Sequence, residues 1–190
     1  QTLSTTTNND YAVLKYDSAG TLVYSKTFDG GVNGDDDGQC MALAGGEAVV
    51  SGLAFVSANN ANAVTVKYDA TGNVVWSKSY DGAGDNNDEA AKLVVDAVGN
   101  SVVAGFTVNY KQDKNFLVNK IDGAGNVSWT KTITGTSGLS PDEAVDVKLD
   151  ASANVYATGF VKDSAQSYNF CTVKYDAAGN QQWLSKYNNV

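Results

Sequence analysis

Four copies of one nine-residue phrase constrain this chain more than any other feature. They read YDSAGTLVY (16–24), YDATGNVVW (68–76), IDGAGNVSW (121–129) and YDAAGNQQW (175–183). Each closes on an aromatic, Tyr24, Trp76, Trp129 or Trp183, eight residues after the residue that opens it. Successive copies begin 52, 53 and 54 residues apart. A fixed period of this size marks a repeated supersecondary unit that buries its apolar surface against its neighbours.

The segments around the phrase read as strands joined by tight turns. In one unit, NAVTVKYD (62–69), VVWSKSY (74–80), AAKLVVD (90–96) and SVVAGFT (101–107) are extended runs rich in Val, Thr and Tyr. Between the first two, Asp69 is placed to accept backbone N–H bonds, and Gly72 supplies the positive φ that closes a hairpin. Asp17/Gly20, Asp122/Gly125 and Asp176/Gly179 repeat that chemistry. The third run follows an acidic pair: Asp36-Asp37, Asp88-Glu89 or Asp142-Glu143. A glycine sits 17 residues after the first acid in two copies (Gly105, Gly159) and 16 after it in the other (Gly52). A strand glycine at a fixed place predicts close backbone approach or a bulge. No segment carries a sustained helical period.

Four hairpin-joined strands per unit is the grammar of a β-propeller blade, with the recurring aromatics filling the space between blades. A stacked β-solenoid is the rival architecture, but its repeats are shorter and need no hairpin turn for every strand. The expected fold is therefore all-β, a β-propeller-type repeat of four-stranded antiparallel blades. A half blade at 10–28 precedes blades at about 38–80, 88–132 and 142–187, giving about 3.5 blades in a single repeat domain. Half a ring leaves sheet edges and blade faces exposed. The expected partners are accordingly another copy in a homo-oligomer, or the remainder of a larger propeller completing the ring.

Composition narrows the function. A 43% hydrophobic content with 19 Gly and a single Pro belongs to a folded, turn-rich chain. The net charge of −8 repels phosphate backbones, which argues against nucleic acid as a partner. No apolar run reaches the roughly 18 residues a membrane span needs; the best stretch, 40–58, contains Glu47 and two adjacent glycines. The segment from Gln1 to Asn9 is polar and uncharged and does not read as a secretory signal. The chain contains no His, which excludes Ser-His-Asp and Cys-His nucleophiles and any His-bearing zinc site. Cys40 and Cys171 fall at non-equivalent places in the repeat among small or apolar neighbours, and read as buried free thiols.

These residues resemble the repeat of a bacterial seven-bladed β-propeller family. The resemblance rests on Asp88-Glu89-Ala90, Val95-Asp96, Gly99-Asn100 and Gly105 in one unit, and on Asp142-Glu143-Ala144, Leu149-Asp150, Asn154-Val155 and Gly159 in the next. Lys67-Tyr68-Asp69 and Lys174-Tyr175-Asp176 supply its other half, and Ala153 stands where the usual turn glycine is expected. It implies a secreted or cell-surface protein. The run Asp69 to Trp76 also looks like the tryptophan-docking motif of quinoprotein propellers, which implies that the aromatics lock blade to blade. The adjacent cysteines of quinone sites have no counterpart here.

Candidate sites are few. In Asn33-Gly34-Asp35-Asp36-Asp37-Gly38, oxygen ligands at alternate positions followed by Gly match the first half of a calcium loop. Asn33, Asp35 and Asp37 are thus candidate metal ligands, although Ala44 occupies the place of the usual bidentate acid. The acidic pairs invite a hydrolase reading, but a pair that recurs in every unit is expected to be structural. Lys15, Lys67, Lys120 and Lys174, each two residues before the turn Asp, read as a solvated or stem-packed face. No catalytic residue and no cofactor other than calcium is expected. The function that follows is a non-enzymatic structural or binding module mediating protein or glycan interaction, carried on the loops or the central opening, or assembly through its open blade ends. The alternative is a fragment of a propeller enzyme, quinoprotein-like or glycan-active.

Overall fold

The computed structural model describes residues 9–32, 34–84, 86–136, 141–164 and 167–188. Among these residues the chain is all-β. A two-stranded half blade, β1 (Tyr11–Tyr16) and β2 (Leu22–Phe28), is followed by three full blades. The first comprises β3 (Asp37–Ala44), β4 (Glu47–Ser57), β5 (Asn60–Tyr68) and β6 (Val74–Tyr80). The second comprises β7 (Glu89–Val95), β8 (Ser101–Val108), β9 (Lys114–Ile121) and β10 (Val127–Ile133). The third comprises β11 (Glu143–Leu149), β12 (Val155–Ser164), β13 (Ser167–Tyr175) and β14 (Gln181–Tyr187).

Every sheet is an antiparallel meander in sequence order, and among the described residues no sheet joins the half blade to the last blade. The result is a β-propeller-type arc of about three and a half blades. Successive blades meet through the first strand of each: β7 lies against β3, β4 and β5, and β11 against β7, β8 and β9. No helix among the described residues is long and apolar enough to cross a membrane.

Apolar burial is concentrated between blades. Tyr11 and Val13 of the half blade form one cluster with Val64, Val66 and Tyr68 of the first blade. Phe116 and Val118 form another with Val147, Val155, Val173 and Tyr175 across the next boundary but one. Each such fully buried side chain contributes on the order of 2–3 kcal/mol from apolar area removed from water. The stability of one blade therefore depends on its neighbours.

The strand glycines do what their fixed spacing predicts. A Cβ on Gly105 would overlap the carbonyl oxygen of Glu89, and one on Gly159 or Gly52 would overlap that of Glu143 or Asp37. The facing strands shift register at the same places, between Ala90 and Lys92, between Ala144 and Asp146, and between Gly38 and Cys40. Close approach and bulge are one device. The extra residue kinks the first strand, and only a glycine opposite leaves room for its carbonyl.

The closing aromatics dock on the turn glycines of the following blade. A Cβ on Gly125 would come within 2.8 Å of Trp76 Cγ, and one on Gly179 within 2.7 Å of Trp129 Cγ. Tyr24 covers Gly72 in the same way, at 2.9 Å. Trp76 Nε1 donates to Gly123 O at 3.1 Å, and Trp129 Nε1 to Ala177 O at 3.3 Å. Two of the strand lysines reinforce the contact: Lys15 Nζ donates to Ala70 O at 3.0 Å, and Lys120 Nζ to Ala177 O at 3.1 Å. Of the two readings of the lysines, solvated or stem-packed, the solvated one does not hold at two positions. Lys67 and Lys120 are buried, Lys67 within 2.7 Å of Glu47. Cys171 is a buried free thiol and Cys40 a half-buried one whose Sγ lies 3.5 Å from Ser51 O.

Six of the hairpins among the described residues are closed by an aspartate at the end of the preceding strand, Asp17, Asp69, Asp96, Asp122, Asp150 or Asp176, while Asn109 does the same between β8 and β9. Asp96 Oδ1 accepts from Val98 N and Asn100 N at 3.0 and 2.9 Å, and Asp150 Oδ1 from Ser152 N and Asn154 N at 2.9 and 3.0 Å. The turn then requires a left-handed residue, Gly99 at φ 88° in one blade and Ala153 at φ 58° in the next. Alanine there costs about 1–2 kcal/mol of backbone strain, against about 0.5–1 kcal/mol of extra unfolded-chain entropy for glycine. Ala153→Gly is expected to stabilise the protein by about 0.5–1 kcal/mol and Gly99→Ala to destabilise it by about 1 kcal/mol, both read from urea unfolding midpoints at constant slope.

Candidate functional site

The first acid of each pair is fully used by the backbone. Asp88 sits in the link between β6 and β7. Its Oδ2 accepts from Gly82 N at 2.6 Å and its Oδ1 from Val108 N at 2.8 Å. Its own N–H donates to Ala61 O at 2.7 Å. Three segments therefore meet on one residue: the loop leaving the preceding blade, the third strand of that blade, and the end of the second strand of its own.

Asp36 repeats the arrangement with Gly30 N, Phe55 N and Asn9 O, at 2.6, 2.8 and 2.7 Å. Asp142 repeats it with Gly135 N, Lys162 N and Lys114 O. All three are buried. The charged form gains from the N–H donors, yet burial outweighs them and holds all three carboxyls above the usual aspartate range. Four of the hairpin aspartates behave oppositely. Bonds from the side chains of Thr71, Asn126, Asn154 and Asn180 are the leading cause that holds Asp69, Asp122, Asp150 and Asp176 below the usual range.

The predicted calcium ligands fall on either side of the first of these clasps. Asn33 lies outside the described residues. Asp35 Oδ1 accepts from Asn9 N and from Asn9 Nδ2 at 3.0 and 3.3 Å. Asp37 opens β3 opposite Leu53. The group of three acids that the described residues bring together is a different one. Carboxylate oxygens of Asp10, Asp29 and Asp36 lie within 4.8 Å of one another, with Asp10 and Asp29 exposed. Of these, Asp36 already holds two backbone N–H groups and Asp29 Oδ1 accepts from Gly31 N.

An open cleft of about 530 Å³ lies where the first and second full blades meet, lined by Asn59, Asn86, Asn87, Gln112, Glu89 and Lys114 over a floor that includes Leu53 and Phe106. The Lys114 amine stands 3.5 Å above the Phe106 ring centroid, a cation–π contact. Burial raises the nearby Glu143 carboxyl, with Lys114 opposing and Glu89 adding to that rise, so two acids and a lysine share one electrostatic environment. Four amide side chains with both donors and acceptors, an acid, an amine and an apolar floor suit a ligand rich in hydroxyl or amide groups. Sequence reasoning singled out Glu89 as one of the acidic pairs but not the amide side chains or Lys114. The pairs Asn59-Asn60 and Asn86-Asn87 were the available signal, and they read simply as loop composition.

No family model matches the chain, and no curated protein matches it. Among solved structures it is similar to a crystal structure of the eukaryotic initiation factor, at a TM-score of 0.49 and 9% identity, over 94% of this chain and 43% of that one. It is also similar to a protein of unknown function from Bacteroides caccae, at a TM-score of 0.36 and 10% identity, over 94% and 75% of the two chains. The chain thus spans less than half the length of the first of these structures.

The two classes of aspartate titrate on opposite sides of the ordinary value of 3.8. For Asp88 and Asp142 the native value is the higher one. Their contribution to stability is full below 3.8 and is lost as pH rises through the native value. For Asp122 and Asp176 the native value is the lower one, so their contribution is full above 3.8 and is lost as pH falls through the native value. Carboxyl carbon chemical shifts are expected to place Asp88 and Asp142 above, and Asp122 and Asp176 below, free aspartate. Asp88→Asn, which turns an amide N–H toward a backbone donor, is expected to cost about 2–3 kcal/mol and to remove that acid's share of the pH dependence.

Proposed function

We propose that this chain is a non-enzymatic structural and binding module of a propeller protein, taking a protein or glycan ligand on its loop face. The reading is carried by the fate of the recurring acids. Asp36, Asp88 and Asp142 are the residues most like a hydrolase carboxylate in sequence, and each is engaged by two backbone N–H groups in the same role. A group that does the same work at three boundaries is part of the frame. What remains outside the repeat is the amide-lined cleft of Asn59, Asn86, Asn87 and Gln112, on loops held by rigid sheets. Within this proposal the repeat family is the bacterial seven-bladed propeller one suggested by the residues of the second and third blades, and the setting is secreted or cell-surface.

The test is a printed array of cell-surface glycans together with a displayed library of random peptides, followed by titration calorimetry on whichever ligand is retained. Saturable binding without turnover is expected, weakened about tenfold or more, or about 1.4 kcal/mol, by the pair Asn59→Ala and Lys114→Ala. Release of new reducing ends from a glycan, or reduction of a redox dye, would instead establish an enzyme. Retention of neither ligand class would remove the cleft from the reading.

A further inference from the structure

The three internal blade boundaries supply a template against which the two ends of the arc can be compared. At each boundary, alternate residues of the third strand of the following blade are buried. Val64, Val66 and Tyr68 fill these places in the first blade, and Leu117, Asn119 and Ile121 in the second. The half blade carries Ala12, Leu14 and Tyr16 there, each one period earlier. Ala12 is exposed, and Leu14 and Tyr16 are 47% and 55% exposed. The opposite face of the arc shows the same departure. Tyr11, Ala63 and Phe116, four residues before the strand lysine, are 1%, 4% and 0% exposed, whereas Phe170 in the last blade is 70% exposed.

The docking elements are divided between the same two faces. Trp183 is the fourth closing aromatic. It is 43% exposed and meets Tyr156 of its own blade edge-on, with ring centroids 6.2 Å apart. Lys174 turns onto its own blade, 4.9 Å above the Tyr156 ring. At the other end, Gly20 is the fourth turn glycine. A Cβ there would meet nothing within 4 Å, whereas those on Gly72, Gly125 and Gly179 would meet an aromatic ring. Ser18 supplies the carbonyl in the place of Ala70, Gly123 and Ala177.

We propose that these two faces are the halves of one head-to-tail interface, with Trp183, Phe170 and Lys174 of one copy docking on Ser18, Gly20, Leu14 and Tyr16 of a second copy of this chain. The occupant is identified by complementarity. The indole needs a left-handed glycine with clear space above it and a carbonyl two residues before that glycine. The half blade offers both, beside an apolar strip of matching period. The contact uses the third and fourth strands, as Trp76 and Trp129 do inside the chain. It is expected to be weaker than an internal boundary, because the half blade brings no first strand to it. The inference goes beyond the ligand reading and does not depend on what occupies the cleft.

The test uses the whole chain and two variants, each altering one face. Trp183→Ala removes the ring, and Gly20→Asn fills the space above the turn with a residue that tolerates a positive φ. Gly20→Asn is expected to melt with the parent protein, since a Cβ there meets nothing, and Trp183→Ala slightly below it through loss of the Tyr156 ring contact, whereas Gly125→Asn melts lower than either. Sedimentation across roughly micromolar to several hundred micromolar protein is expected to show the parent associating and each variant remaining monomeric. An equimolar mixture of the two variants is expected to form a species of two chains and nothing larger, because each retains the face the other has lost. A monomeric parent, association undiminished by either variant (as pairing of the free β1 or β14 edges would give), or a mixture that stays monomeric would each overturn the proposal.

Discussion

The buried aspartate at the head of each blade is the interaction on which the rest of the arc depends. Asp36, Asp88 and Asp142 each tie down the loop that leaves one blade and the end of the second strand of the next, while their own N–H groups reach back to the earlier unit, to Asn9 just before β1 or to the third strand of the earlier sheet. No side chain longer than aspartate would bring two oxygens to these donors so close to the main chain. A neutral amide would offer one acceptor where two are needed. The carboxyl is held there although burial disfavours its charge, and the geometry of three segments is the return for that cost.

The remaining devices depend on this anchorage. Once the first strand of a blade is fixed, its bulge must fall opposite a glycine, and the register of the whole meander follows from that pair. The fourth strand then delivers its aromatic to the next turn. Buried charge, bulge, turn and ring form a chain of dependencies running outward through each sheet. This explains why the sequence repeats at all of these points and varies between them.

Much of this was legible in the residues because each device strongly favours one residue type, even where Ala153 or Tyr24 stands in for the usual glycine or tryptophan. Glycine 16 or 17 positions after the blade aspartate predicted close approach or a bulge, and the structure joins the two. The hairpin aspartates and the interblade role of the tryptophans were likewise readable, since a left-handed turn and a large ring leave few alternatives. The lysines were less so. A lysine two residues before the turn aspartate says nothing about whether its amine meets water or a carbonyl one blade away, and Lys120 and Lys67 resolve that differently. The cleft was not legible. Its asparagines lie on separate loops brought together only by the angle between two blades, and asparagine in a loop has an ordinary local explanation. The acids of the 33–38 segment carried a calcium pattern in which Asp36 was only a spacer; in the structure that spacer is the residue the fold uses.

Every unit of the repeat presents its ring on one side and its turn glycine on the other, so the blades have a direction. A unit inserted, lost or copied whole between two others would find the surfaces it needs on both flanks, whatever its own loops have become. Growth of such a protein by duplication of about 53 residues therefore needs no new interface to be invented. Loop sequences are left free to diverge while the joints between units stay the same.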